Sequence, residues 1–438
     1  MIDQYLYKWI ECVCDYGKGN RMKKYNLIVA GGGLTGVAAA VSAAREGLSV
    51  LLIEKAGCLG GSMSNCQVYP YMKYWMKNGD NDTMTCLSAG IFTEMRKRHA
   101  EMTGVDELSR FGPEYYKFLL DDMVTEAGVD VLFHTSVFGV LTEGKKVKGV
   151  RMVSKSGIME MEAEYFIDAT GDGDLMALAG CEFQLGREED GLCQPMTTCF
   201  RMSGVDVEKL KEERPRLQKL YQQYRANGKI TNPRENILMF FGIGDDIVHF
   251  NTTRIVKHNP VDVFDMSKAE MAARRQVREM AAFLQANSSA FTNSTIISIA
   301  SEIGVRESRK LKGMYILTGE DLKNCVEFED AIALGNYEID IHNPAGTGTT
   351  IIGFQDSEYY QIPYRCLLPK EYTNLLVAGR CLSATHEAQA AVRIMPICAC
   401  MGEAAGMAVS VAWKSGSDAH KVDIKEVRRK LKKGGATL

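Results

Sequence analysis

The run Tyr25-Asn-Leu-Ile-Val-Ala-Gly31-Gly32-Gly33-Leu34-Thr35-Gly36 decides the fold class, together with Leu48-Ser-Val-Leu-Leu-Ile-Glu54 downstream of it. Its first six residues are mainly apolar, the signature of a strand buried in a parallel sheet. Residues 36–47 read as a helix closed by glycine, and residues 48–54 as a second buried strand. The three make one βαβ unit of about 30 residues. At the strand–helix junction, Gly31 permits a tight turn, Gly33 lets backbone approach a pyrophosphate, and Gly36 lets helix and strand pack closely. The helix start, with Leu34 and Thr35, adds free N–H groups and the positive end of the dipole. Glu54 ends the second strand, 18 residues beyond Gly36, placed to accept hydrogen bonds from a ribose. A glycine-rich turn without ligand is the plain alternative, and the strand before and helix after weigh against it.

The residues after Glu54 bear on which dinucleotide is bound. Lys55 leads into Gly57-Cys58-Leu59-Gly60-Gly61-Ser62-Met63. Adjacent glycines at 60 and 61 let backbone pass close to a ribityl chain and a flavin edge, which a simple NAD domain does not require. The reading is therefore FAD, with an ordinary loop as the alternative. A third motif is Asp168-Ala169-Thr170-Gly171-Asp172-Gly173-Asp174, whose small residues suit a close approach to the same molecule. Calcium ligation of EF-hand type needs a glutamate at the twelfth loop position. Counted from Asp168 that position is Ala179, so no metal is expected. The fourth motif runs from Asn374-Leu-Leu-Val-Ala-Gly379-Arg380 to Arg393-Ile-Met395-Pro396-Ile397. A strand entering Gly379-Arg380 and a helix starting at Pro396 make a cradle for a flavin ring, the dipole end stabilising charge on the reduced form.

The expected architecture is α/β: a Rossmann-type FAD-binding domain with an antiparallel meander, plus an inserted α+β substrate or cap domain. Residues 1–21 read as an N-terminal extension, with Met22 as an alternative start. Residues 22–199 and 336–438 are assigned to the FAD-binding domain, and 200–335 to the inserted domain. Helices are expected over 83–100, 111–128, 205–227, 267–285 and 397–414. Strand-like runs at 131–134, 147–154 and 158–167 suggest the meander, and 237–255 a strand in the inserted domain.

In this order the pieces resemble the FAD-dependent oxidoreductase superfamily that includes glutathione reductase and fumarate reductase. They resemble more closely the bacterial FAD-dependent oxidoreductase family, relatives of which carry a xanthan lyase label. Val305-Arg306-Glu307-Ser308-Arg309 and Ile362-Pro363-Tyr364-Arg365 match as well, so the resemblance runs from about Met22 to the C-terminal helix. It implies noncovalent FAD, with Glu54 on the adenosine ribose and backbone at Val137 near the adenine. Ala169, Thr170, Gly171 and Asp172 would pack on the dinucleotide, and Gly379-Arg380 with the last helix would hold the isoalloxazine. Three departures matter. Cys58 and Cys66 are too far apart for a Cys-x4-Cys redox pair. The fumarate reductase catalytic segments are not found. A second Gly-x-Gly-x-x-Gly for a separate NAD(P)H domain is missing.

Hydride transfer at flavin needs a substrate over the ring and a nearby acid or base. His386 beside the cofactor strand is a candidate, with a structural histidine as the alternative. Arg306, Arg309 and Arg393 are candidate clamps for a carboxylate or other polar group. Each alone reads more readily as a structural ion-pair partner, with Glu302 or Glu307 as mates. His249, Asn251 and Thr253 alternate on one strand face that could line the cavity.

A net charge of −3 gives no basic field for nucleic acid. No apolar run is read as long enough to span a bilayer. The 13 cysteines are scattered without Cys-x-x-Cys, which points to buried thiols in a reducing cytoplasm. The function expected is hydride transfer between flavin N5 and a small polar metabolite, with an unidentified electron acceptor or donor as partner. A flavoprotein electron-transfer subunit and a non-redox binding protein are the alternatives. The sequence does not give an oligomeric state.

Overall fold

The computed structural model describes residues 24–78 and 81–438; the extension 1–21 and Met22 lie outside the described residues. β1 (Tyr25–Ala30), α1 (Leu34–Arg45) and β2 (Val50–Ile53) form the expected βαβ unit. A hairpin of β3 (Trp75–Asn78) and β4 (Asn81–Cys86) follows, then α2 (Ile91–Thr103) and α3 (Pro113–Glu126). The helix expected over 83–100 is thus corrected: its first part is β4. Gly90 at φ 73° ends any helix extending backward from Ile91. Next come β5 (Asp130–Leu132), β6 (Ser136–Glu143), β7 (Lys146–Ser154) and β8 (Gly157–Asp168).

The main sheet runs β5-β2-β1-β8, and a late strand also pairs with β8 in parallel. β8 has two partnerships along its length. Its first half pairs antiparallel with β7, and its second half, from Ala163 to Asp168, pairs parallel with β1. β6, β7 and the start of β8 are therefore the meander. The run at 131–134 is not part of it. It forms β5, which pairs parallel with β2, because a strand reached through a helix returns in the same direction as the strand before.

β1 alternates between two cores. Leu27 and Val29 face the helices, while Ile28 and Ala30 face the meander side. A sheet with both faces covered explains why its strands read as near-continuous apolar runs.

After α4 (Asp174–Leu178) and β9 (Phe183–Leu185) the chain builds a second body. β10 (Phe200–Ser203), α5 (Val207–Ala226), β11 (Met239–Gly244), β12 (Ile247–Phe250), α6 (Val263–Asn287) and β13 (Thr295–Ile299) follow in order. The strands form an antiparallel sheet, β11-β12-β10-β13. Phe200, Met202, Val248 and Phe250 on one face pack with Leu217, Tyr221, Val277 and Leu284 of the two helices. The alternate residues, Arg201 and His249, sit opposite each other on the other face.

The return comprises β14 (Arg309–Leu311), α7 (Gly319–Lys323), β15 (Ala331–Gly335), β16 (Ile339–His342), β17 (Thr349–Ile352) and β18 (Tyr360–Pro363). β19 (Leu375–Val377) is the late strand beside β8, and α8 (His386–Val392), α9 (Met395–Ser415) and α10 (Ile424–Lys433) complete the chain. α9 corrects one expectation, since it has the length and apolarity to cross a membrane. It is nevertheless a core helix, with 94% of its most apolar window buried inside the molecule. Its partner is α1, and the two approach backbone to backbone. A Cβ at Gly402 would collide with the Thr35 carbonyl, and one at Gly406 with that of Ala39.

Candidate active site

The C-terminal ends of the parallel strands meet at one edge. Gly31 N–H donates to Ile53 O at 2.8 Å, Ala169 N–H to Ala30 O at 2.8 Å, and Ala378 N–H to Asp168 O at 2.9 Å. Ligands of open α/β sheets bind at this edge. Gly31 is at φ 98°, and a side chain there would strike Ala169 and Thr170. A Cβ on Gly36 would collide with the Gly31 carbonyl oxygen. Gly33 differs from both: the nearest atom to a Cβ there is Gly61 Cα, at 3.9 Å. The loop 57–63 closes over this turn, with Gly60 N–H bonded to Gly32 O at 2.9 Å and a bridge between Gly33 and Gly60. The space before Gly33 is therefore walled by backbone from two glycine loops, which suits a pyrophosphate.

Glu54 is buried, and each of its oxygens accepts one backbone N–H. Oε2 takes Gly32 at 2.6 Å and Oε1 takes Ala56 at 2.7 Å. A carboxylate has about four lone-pair sites, so two remain for ribose hydroxyls. Thr135 N–H donates to Glu54 O at 3.1 Å, which brings the start of β6, with Val137, beside this turn. Met63 turns into the core, Ser62 is exposed, and Lys55 extends to Glu302 at 3.4 Å.

The aspartates of residues 168–174 have separate tasks. Asp168 is fully buried and accepts from Thr170 N–H (3.0 Å), Thr170 Oγ1 (2.7 Å) and Met176 N–H (2.8 Å), which fixes the loop. Burial pushes its carboxyl up to about 6 against those hydrogen bonds. Asp172 pairs with Arg380 at 2.9 Å, and Ser308 Oγ donates to it at 2.6 Å. The Arg380 guanidinium also reaches Ser308, at 3.1 Å. Arg380 thus ties the Gly379 turn to the 168–174 loop. On the far side, α9 begins at Met395 with Pro396 in its first turn and no side-chain cap, so its opening N–H groups face the same edge. No group of His, Cys, Asp and Glu residues among the described residues is arranged to hold a metal ion.

The cradle fits a dinucleotide, and the comparisons say which. The family model described as FAD dependent oxidoreductase matches residues 26–431. The chain is a member of the FAD-dependent oxidoreductase family. FAD is accordingly its cofactor, and the Gly31–Gly36 turn, Glu54 and the Gly60-Gly61 loop are the residues that fit it. Digeranylgeranylglycerophospholipid reductase 1 of Methanococcoides burtonii is 26% identical over 195 residues, covering 42% of this chain and 46% of that protein. NADH:fumarate oxidoreductase of Klebsiella pneumoniae is 27% identical over 190 residues, covering 34% of this chain and 20% of that protein. The matched region thus spans less than half of either relative. Among solved structures, a geranylgeranyl bacteriochlorophyll reductase-like protein of Thermoplasma acidophilum is 14% identical at a TM-score of 0.45, covering 94% of this chain and 83% of that one. L-proline dehydrogenase of P. horikoshii is 13% identical at a TM-score of 0.45, covering 92% of this chain and 96% of that one.

The expected substrate residues separate into three groups. Arg309 is committed elsewhere: it contacts Asp174 at 2.9 Å and the Asp172 carbonyl at 3.1 Å, and lies over the Phe183 ring. His249 is sealed, and its strand ends at Phe250, one residue before Asn251. Its ring packs against Tyr69 (centroids 5.5 Å) and Phe240 (6.2 Å), and burial, aided by Arg201, pushes its pKa down to about 3. Both of its ring nitrogens are buried without a hydrogen-bond partner. Arg306, Arg393, Asn251 and His386 are half-buried instead.

The expected arginine mates are also corrected. Glu302 pairs with Lys55, and Glu307 holds His386 and Lys310. His386 Nδ1 lies 2.8 Å from Glu307 Oε2, while Glu307 and Lys310 are buried. Burial would raise the Glu307 carboxyl, but contact with His386 and Lys310 holds it below the ordinary glutamate range. With Nδ1 bound to Glu307, the Nε2 edge of His386 is the one left to meet another group.

The sequence reading missed Arg201, Arg234, Arg254, Asp340 and His342. Alternation in Ile339-Asp-Ile-His342 was the available signal, since it puts Asp340 and His342 on one strand face.

Proposed function

We propose that the chain transfers hydride between the N5 of noncovalently held FAD and a small polar metabolite, with His386 as the acid or base. Bound FAD supplies the two-electron chemistry; the protein's own residues position the substrate and move a proton. The observation that carries this reading is the linkage of residues 306–309 to the cofactor edge. Gln389 Nε2 donates to Arg306 O at 2.9 Å and to Arg380 O at 3.5 Å, and Arg380 reaches Ser308. The half-buried polar groups Arg306, Asn251 and His386 are thereby set next to the loops that fit the cofactor. Such a wall suits a polar substrate, and the Glu307–His386 contact fixes the orientation that acid–base work needs.

Anaerobic photoreduction of the holoprotein, followed by a screen of small polar metabolites, tests the proposal. Reoxidation of the flavin by at least one metabolite, or bleaching of oxidised flavin by its reduced counterpart, is the expected result. Loss of His386 as His386→Gln should then slow that step by roughly 10²–10⁴-fold with flavin retained. A flavin indifferent to every metabolite and reoxidised only by a redox protein would favour the electron-transfer reading instead.

A further inference from the structure

Among the described residues, the hydrogen-bond partners of Arg306 leave its charge unbalanced. Its Nη1 donates to Pro195 O at 2.5 Å and to Thr197 Oγ1 at 2.7 Å, and its Nη2 reaches Asn251 Oδ1 at 3.5 Å. A guanidinium carries five N–H donors, two on each terminal nitrogen and one on Nε. The two on Nη1 are used. The Nε–H has no partner among the described residues, and Nη2, beside it on the same side of the group, meets only Asn251 at 3.5 Å. The acceptors that touch Arg306 are all neutral, and no carboxylate among the described residues lies within 4.0 Å of it.

Its neighbours make the imbalance worse. Burial first, and then the like charges of Arg393, Arg234 and Arg254, push the Arg306 pKa down to about 9, against the pull of the Asp340 carboxylate. Arg393 comes no nearer than 3.9 Å to Asp340, and its Nε is buried without a hydrogen-bond partner. Asp340 is already shared, lying 3.3 Å from His342 Nε2 and accepting from Tyr337 Oη at 3.0 Å. Arg254 is satisfied by Glu235, His342 and Thr349. His342 is held neutral, its pKa pushed down to about 3 mainly by burial, so it adds no charge. Two partly buried guanidiniums, Arg306 and Arg393, therefore depend on the one carboxylate of Asp340, which reaches Arg393 only at 3.9 Å and lies beyond 4.0 Å of Arg306, and each keeps an open donor. Charges withdrawn from water are costly unless paired.

We propose that the charge Asp340 leaves unbalanced is met by a carboxylate of the substrate, held on the open Nε–Nη2 side of Arg306 and by Arg393. The flat two-oxygen geometry of a carboxylate matches that side. The inference rests on the proposed hydride-transfer reading and names the class of its substrate: a small organic acid. Arg309, tied to Asp174, takes no part.

The test is a titration of the FAD holoprotein, reading both the flavin absorption band and the heat of binding. The probes are lactate, malate and succinate, their uncharged amides, and inorganic phosphate. At least one acid should give saturable binding that shifts the flavin band, while its amide and phosphate do not. Arg306→Gln should weaken that binding by at least ~30-fold, and Arg306→Lys, which keeps the charge without the guanidinium, should restore it only in part. Heats of binding are read from the wild-type protein too, so an unfolded variant does not decide the matter. A folded, photoreducible flavoprotein that binds none of the acids, or binds amides or phosphate equally well, overturns the carboxylate assignment alone. A protein that takes up no FAD overturns the oxidoreductase reading, and the assignment with it.

Discussion

Glu54 shows how much one carboxylate does here. Both of its oxygens accept backbone N–H groups, from Gly32 and Ala56, before any ribose arrives. An amide has one carbonyl oxygen, so Glu54→Gln would set an N–H donor against another donor. The expected result is FAD affinity weakened by roughly 10–100-fold, the worth of one charge-assisted hydrogen bond, read by fluorescence titration of the apoprotein.

Glu403 on α9 offers a different test. It is buried, with Oε2 accepting from Ile91 N–H at 2.8 Å, and burial pushes its carboxyl up to about 7 from an ordinary 4.5. Between those two values the folded chain holds a proton that the unfolded chain has released. Stability from this group is therefore full below pH ~4.5 and lost as pH rises through ~7. Glu403→Gln, uncharged throughout, should be more stable than the parent at pH 8 by up to about 3 kcal/mol. That advantage should vanish by pH ~4.5. Denaturant melts at the two pH values check it, and an advantage of equal size at both would contradict the assignment.

At the scale of elements, α1 and α9 are the pair that sets the cofactor edge. Gly402 and Gly406 let the two backbones touch, so the α9 start and the Thr35 turn approach the same space from two sides. Gly402→Val would drive a side chain into the Thr35 carbonyl. Overpacking of this kind costs about 1–3 kcal/mol, and FAD affinity should fall with it, since the displaced backbone belongs to the phosphate turn. Urea unfolding and flavin titration of the variant measure both effects.

These elements were readable in the sequence because their signals are local. The turn at 31–36, the buried strand and the glycines beside it fix geometry within a few residues. β5 departs from the expected meander because so short a strand, Asp130–Leu132, carries no information about which strand it will join. The arginine cluster was only partly legible for the same reason. Arg306 and Arg393 stood out by type, but Arg234, Arg254, Asp340 and His342 come from segments far apart in the chain. Only the fold brings them together. The mates chosen for the arginines failed because Glu307, though next in sequence to Arg306, points instead to His386 and Lys310. Neighbours along a strand or turn often face opposite ways.

At the scale of the whole molecule, a FAD-binding body carries a second, antiparallel body with its own hydrophobic core around Phe200, Phe250 and Leu284. Loops from distant parts of the chain, 31–36, 54–63, 168–174 and 379–397, converge on the edge proposed to hold the cofactor. Ligand binding to the folded state alone adds stability that grows with the logarithm of free ligand over Kd, about 2.7 kcal/mol at a hundredfold excess over Kd. FAD should therefore raise the melting temperature of the chain, and Glu54→Gln should blunt that rise.

The most direct measurement of the central claim is the amount of flavin that stays with the purified chain after incubation with FAD and gel filtration, for the parent and for Glu54→Gln. Flavin retained in proportion to the parent chain and reduced in the variant is the expected result. A well-folded parent chain that emerges colourless would contradict the cradle at Gly31–Gly36.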